Sequence, residues 1–102
     1  MDKTRRRLEV SMVKASWNIR YASSVVRNDI PALSYTTKQR IRKAIETKLA
    51  TDPMHFGKPL RYSLYHFRSL RVGDSRVLYQ IDHDQHIIFI SAIGHRRDIY
   101  DE

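Results

Sequence analysis

A strand, two helices and then three strands is the element order this sequence predicts. That order implies an α+β fold: a twisted antiparallel sheet with two helices packed on one face. Three observations carry the prediction. Apolar residues alternate with polar ones at Trp17–Tyr21 and on both sides of Gly73-Asp74, the period of half-buried strands. Between these stretches, apolar residues recur at helical spacing through Val26, Ile30, Leu33, Ile41, Ala44, Ile45 and Leu49. A continuous apolar run, Ile87–Ile93, supplies a last strand suited to cover on both faces.

Residues 1–15, with Arg5, Arg6 and Arg7, read as a flexible basic extension, and Met12 is a candidate start. Residues 16–102 read as a single domain. Trp17-Asn18-Ile19-Arg20-Tyr21 is the first strand. A first helix begins near Ala22 and breaks at Pro31, which has no amide hydrogen and restricts Ile30. Thr36 and Gln39 have the spacing of a capping box that would open the second helix. Arg40, Arg42 and Lys43 form its wet side, and Asp52-Pro53 stops it. Met54–Leu64 reads as a loop. The hairpin follows, with Leu70 and Val72 on one face of its first strand and Ser69 and Arg71 on the other. On its second strand Val77, Tyr79 and Ile81 face opposite to Arg76, Leu78 and Gln80. Asp-Gly would be the stronger order for the turn than Gly73-Asp74. Asp82-His83-Asp84-Gln85 makes a second turn before the apolar run.

At 102 residues there is room for one modest core. No apolar run reaches the length of a membrane span, and no membrane partner is expected. Cysteine is absent, which removes thiolate chemistry and fits a cytoplasmic protein. The 19 Lys and Arg outnumber 11 Asp and Glu, for a net charge of +8. Such an excess attracts polyanions, nucleic acid above all, or an acidic protein partner.

No cofactor is expected. The five histidines include no i, i+4 pair, so no zinc site is predicted; His83 and His86 flank a turn with Asp82 and Asp84. There is no Gly-rich phosphate loop and no nucleophile elbow. What remains is a set of arginines with a histidine and a tyrosine: Arg68, Arg71, Arg76, His95, Arg96, Arg97 and Tyr100. RNA can be cleaved without a protein nucleophile, because the 2′-hydroxyl attacks the adjacent phosphorus. The protein then needs only to move protons and stabilise the phosphorane. Histidine or tyrosine suits the first task and arginine the second. A salt-bridged arginine surface is the alternative.

Asp52-Pro53, Phe56-Gly57-Lys58-Pro59-Leu60, the hairpin from Arg68 to Tyr79 and the ending Ile93-Gly94-His95-Arg96-Arg97-Asp98-Ile99-Tyr100 together resemble the RelE/ParE toxin superfamily. More narrowly they resemble the RelE-type mRNA interferases of type II toxin–antitoxin modules. The resemblance runs from about Trp17 to Tyr100. It implies a RelE-like fold and a toxin that cleaves mRNA, in the A site of the 70S ribosome, by metal-free 2′-hydroxyl attack. It also implies a cognate antitoxin and a toxin–antitoxin hetero-oligomer. Relatives with the same fold poison DNA gyrase instead, and an inactive antitoxin-binding module is a third reading.

By position, the resemblance gives Arg76 the scissile phosphate, Arg96 the leaving group or phosphate, and Tyr100 the substrate base. Two lysines of the best-known enzymes have no match, since Phe67 and Ser69 stand there. His95 is the expected substitute base. Arg68, Arg71, Arg97, Lys58 and Arg61 complete the expected RNA-binding set.

Overall fold

The computed structural model describes residues 17–95. In chain order these form β1 (Asn18–Tyr21), a short helical turn α1 (Val25–Asp29) and helix α2 (Tyr35–Ala44), which widens into a π-type turn over Ile45–Leu49. The one-turn helix α3 (Pro53–Phe56), β2 (Lys58–Pro59) and a 3₁₀ turn (Tyr62–Leu64) precede β3 (Arg68–Val72), β4 (Ser75–Asp82) and β5 (Ile87–His95). The expected extension over residues 1–15 lies outside the described residues.

The α+β class holds, with a sheet of five strands in the order β1-β5-β4-β3-β2. Two features differ from expectation. The stretch expected to be only a loop contributes both α3 and β2, the latter pairing Lys58 with Ser69 and Pro59 with Arg68. Proline is tolerated there because β2 is an edge strand that needs no amide on its outer side. In addition, β1 runs parallel to β5, Asn18 beside Ile87 through Tyr21 beside Ile90. The helical segment between β1 and the hairpin acts as the crossover that a parallel pair requires.

The helix stripe Ile41, Ala44, Ile45 and Leu49 is buried as its spacing predicts, joined by Val25 of α1. It packs on Leu70, Val77, Tyr79, Ile88, Ile90 and Ile93, which come from one face of the sheet. The helix start is displaced from expectation. Ser34, not Thr36, is the N-cap, its hydroxyl accepting from the Thr37 amide at 3.2 Å. Either residue type caps well, but Ser34 takes the extended backbone (ψ 160°) that an N-cap needs, leaving Thr36 inside the first turn.

Turn chemistry fixes the hairpin. Val72 pairs with Ser75 across Gly73-Asp74, and Gly73 has φ +62°. A glycine first in a two-residue loop is what a type II′ turn requires, so Gly-Asp is the productive order here.

Among the described residues, the helices cover one face of β5. Ile88 and Ile90 are buried, whereas Phe89 is 38 % exposed on the other side. The apolar run of β5 holds residues of both faces, and a bulge interrupts their alternation. Leu78 pairs with Ala92 but Tyr79 pairs with Ile90, leaving Ser91 as the extra residue. The bulge shifts the alternation by one and returns Ile93 to the core. The Ile93 amide, beyond the reach of short β1, donates to the Asp29 carboxylate of α1 at 2.9 Å. Among the described residues no helix is long and apolar enough to cross a membrane.

Candidate nucleic-acid interface on the open sheet face

The face of the sheet opposite the helices carries the charge. Directly paired residues share a face, so the register from Lys58 to Ser69 to Leu78 to Ala92, and from Arg71 to Arg76 to Gly94, defines it. Arg71 and Arg76 stand directly opposite each other on β3 and β4. Like charges in that relation repel. An anion placed between two such guanidiniums would offset that repulsion. Arg76 Nη1 donates to Ser69 Oγ at 3.4 Å, and Ser69 is 3 % exposed. Arg71 Nε donates to the Gly73 carbonyl at 3.2 Å across the turn. The position beside Arg76 on β5 is Gly94, which presents no side chain to obstruct the approach.

Lys58 belongs to this face through β2, paired with Ser69. Its membership depends on a two-residue strand too short to show a period; Pro59, a residue confined to edge strands, was the one available signal.

Two expected members lie elsewhere. Arg68 pairs with Tyr79 and shares the helix-covered face. Its Nη2 donates to the carbonyls of Met54 and Gly57, both at 2.7 Å. That guanidinium holds α3 against the sheet and does not join Arg71 and Arg76. His95 pairs with Ser75, a buried residue of the helix-covered face. It lines a cleft with Asn28, Asp29 and Ser34. Register therefore separates it from Arg76 by the thickness of the sheet. Arg61 is exposed in the β2–β3 loop. Arg96, Arg97 and Tyr100 lie outside the described residues.

The anchoring of α3 is what positions Lys58. Tyr79 is fully buried, and its hydroxyl donates to the Pro53 carbonyl at 2.6 Å. Burial raises its pKa above the ordinary value, outweighing the Arg68 guanidinium, which pulls it down. Gly57 is obligatory beside it, since a Cβ there would lie 1.6 Å from the Tyr79 hydroxyl oxygen. The histidines of the β4–β5 turn pack on an aromatic ring: His86 stacks on Trp17 at 3.8 Å, and His83 meets it edge-on at 5.9 Å. Among the described residues no three His, Asp or Glu side chains gather as a metal site.

A family model for the ParE toxin of type II toxin–antitoxin systems, parDE, matches residues 20–100. Toxin RelG of Mycobacterium tuberculosis is 42 % identical over 52 residues, which are 51 % of this chain and 60 % of RelG. Toxin RelE of the same organism is 42 % identical over 52 residues, covering 51 % of this chain and 54 % of that protein. The chain thus matches little more than half the length of these two relatives. Among solved structures, the toxin–antitoxin complex RelBE2 of Mycobacterium tuberculosis superposes with a TM-score of 0.75 at 28 % identity, over 80 % of this chain and 93 % of that one. The isolated RelE toxin of E. coli superposes with a TM-score of 0.66 at 12 % identity, over 78 % of this chain and 84 % of that one, a likeness of fold alone. On the family match over residues 20–100 and this fold, the chain belongs to the ParE toxin family of type II toxin–antitoxin systems, within the RelE/ParE superfamily.

Proposed function

We propose that this toxin is an endoribonuclease that cleaves mRNA, on the 70S ribosome in the cytoplasm, by attack of a 2′-hydroxyl on the neighbouring phosphorus. The observation that carries this reading is the Arg71–Arg76 cross-strand pair on the face of the sheet opposite the helices. Two forked donors standing on adjacent strands would suit the equatorial oxygens of a phosphorane, whose charge exceeds that of the ground-state phosphate. Ser69 steadies Arg76 from below.

Lys58, rather than His95, acts on the 2′-hydroxyl proton. It is paired with Ser69, one of the two positions at which the best-known enzymes carry a lysine. Its ammonium beside the 2′-hydroxyl favours the alkoxide, the proton passing to water. Arg96 and Tyr100 keep their assigned roles at the leaving group and the base, and Arg97 contacts backbone. A cognate antitoxin rich in acidic and apolar residues covers the open face in a hetero-oligomer. The structural relatives include toxin–antitoxin complexes.

The ParE family match and the residues at Phe67 and Ser69 favour a second reading, inhibition of DNA gyrase without cleavage. Inducing the protein without its partner separates the two. Growth arrest with new 5′ ends inside translated mRNA, mapped by primer extension, is the expected result. Intact transcripts with gyrase-dependent DNA breaks would replace the nuclease reading with the second.

A further inference from the structure

The β2–β3 loop presents aromatic rings to solvent in a way that folding does not explain. Tyr62 is 75 % exposed and Tyr65 64 % exposed. Tyr62 also has φ +57°, the left-handed region that glycine occupies without strain and a bulky side chain does not. A residue that costs backbone strain and buries little of its ring has been kept for something other than packing. The Tyr65 amide bonds back to the Tyr62 carbonyl at 3.2 Å, so both rings belong to one tight turn. Tyr65 in turn lies against His66, ring centroids 3.8 Å apart. Tyr65 and His66 also line a cleft of about 270 Å³ with Met54 of α3 and with Pro59, Arg68 and Ile81, which stand on the α3 side of the sheet.

Charge selects the partner. From Pro53 to Gly73 the chain carries no acidic residue, while Lys58, Arg61 and Arg71 are cations away from the helix-covered face. Exposed rings interleaved with cations are the makeup of a single-strand nucleic-acid platform: bases stack on the rings and phosphates track the cations. Lys58 lies on the open face, and Arg61, three residues on, opens the turn that holds Tyr62. We propose that Tyr62, Tyr65 and His66, with Arg61, form a second RNA subsite at the β2 edge of the sheet, which stacks unpaired bases where the strand held at Arg71 and Arg76 passes around that edge. This rests on the ribonuclease reading and adds to it a sequence-tolerant grip on single strands, because every base has a π face.

The probe is a short fluorescein-labelled 2′-O-methyl RNA, which cannot be cleaved, as a single strand and as a duplex. Anisotropy is read across a salt series, with thermal melting of every variant. Tyr62→Gly is the decisive change, since it relieves the strain while removing the ring. The expected result is an unchanged or higher melting temperature together with single-strand affinity weakened on the order of tenfold. The salt slope should stay the same, because phosphate contacts set it. Tyr65→Ala should weaken single-strand binding similarly, and the duplex should lose little in either variant. Unchanged RNA affinity in folded Tyr62→Gly protein would overturn the subsite. So would a loss shared equally by the duplex, or a loss confined to antitoxin binding. Arg71→Ala separates the two levels. If it weakens RNA binding and the tyrosine variants do not, only the loop inference falls. If the tyrosine variants weaken binding and Arg71→Ala does not, the loop stands and the open-face reading falls.

Discussion

Arg68 and Arg71 lie three residues apart on one strand and have opposite fates. Arg68 faces the helices, where it is half-buried and donates to two backbone carbonyls at 2.7 Å. Arg71 faces away, exposed, directly opposite another arginine. The same contrast runs through the whole sheet. One face carries Leu70, Val77, Tyr79, Ile88, Ile90 and Ile93, none more than 4 % exposed. The other carries Lys58, Arg71, Arg76 and the exposed ring of Phe89. A guanidinium on the first face is part of the scaffold and must be satisfied by the chain itself. On the second, the guanidiniums of Arg71 and Arg76 also take partners from the chain, the Gly73 carbonyl and the Ser69 hydroxyl, at 3.2 and 3.4 Å. Arginine count therefore says little about function until the register has sorted the arginines by face.

The largest effect that follows from this division belongs to Arg76. If the open face binds the phosphorane, Arg76→Ala should slow single-turnover RNA cleavage by roughly 10²–10³-fold, with the melting temperature nearly unchanged. Arg76→Lys should restore only part of the rate, since it keeps the charge and loses the fork. A lowered melting temperature with an unchanged rate would make Arg76 a scaffold residue like Arg68 and erase the distinction between the faces.

The covered face should respond in the opposite sense. Gly57→Ala places a methyl group 1.6 Å from the Tyr79 hydroxyl oxygen, in a region closed by two hydrogen bonds from Arg68. Either the ring or α3 must move, and a stability loss of about 3 kcal/mol is expected from such overpacking. Denaturant unfolding measures it. A loss under half that size would mean that α3 yields easily and that Arg68 anchors little.

Much of the covered face was legible in the sequence, because burial imposes period. Leu70, Val72, Val77 and Tyr79 alternate, and Ile41, Ala44, Ile45 and Leu49 repeat at helical spacing, so local pattern sufficed. Pairing between distant segments was not legible. Nothing within Asn18–Tyr21 states that it runs parallel to β5, and Lys58–Pro59 is too short to have a period. The bulge at Ser91 is a register event, and it decides which face each residue beyond it takes. For that reason Arg71 and Arg76 could be proposed from parity within the hairpin, whereas His95 required the register across β4 and β5. Arg68 was misplaced for a different reason. Its partners are the backbone carbonyls of Met54 and Gly57, which have no signature in a list of side chains.

A smaller effect tests the polar anchor alone. Tyr79→Phe keeps the ring and removes the donor to the Pro53 carbonyl, costing about 1–2 kcal/mol at neutral pH. The pH dependence carries the sharper signature. Burial holds the folded-state pKa of Tyr79 above its ordinary value of 10.0. Its contribution is therefore complete below that value and is lost as pH rises through the folded-state value. Melting curves of the wild type and Tyr79→Phe should converge as pH climbs above about 10. Parallel curves across that range would show that the phenol is not shielded as its burial implies.

The smallest expected effect tests where α2 begins, and so how the helices are seated on the covered face. The structure assigns the N-cap to Ser34, whose hydroxyl accepts from the Thr37 amide, while the local pattern Thr36-Gln39 suggested a cap two residues later. Ser34→Ala leaves that amide with water alone and should cost about 1 kcal/mol. Thr36→Ala should cost nothing measurable, because an exposed position inside the first turn gains helix propensity from alanine and loses no cap. The two variants are therefore predicted to differ in size, which a paired melting experiment resolves without reference to activity. The reverse order, with Thr36→Ala the damaging change, would move the start of α2 to Thr36.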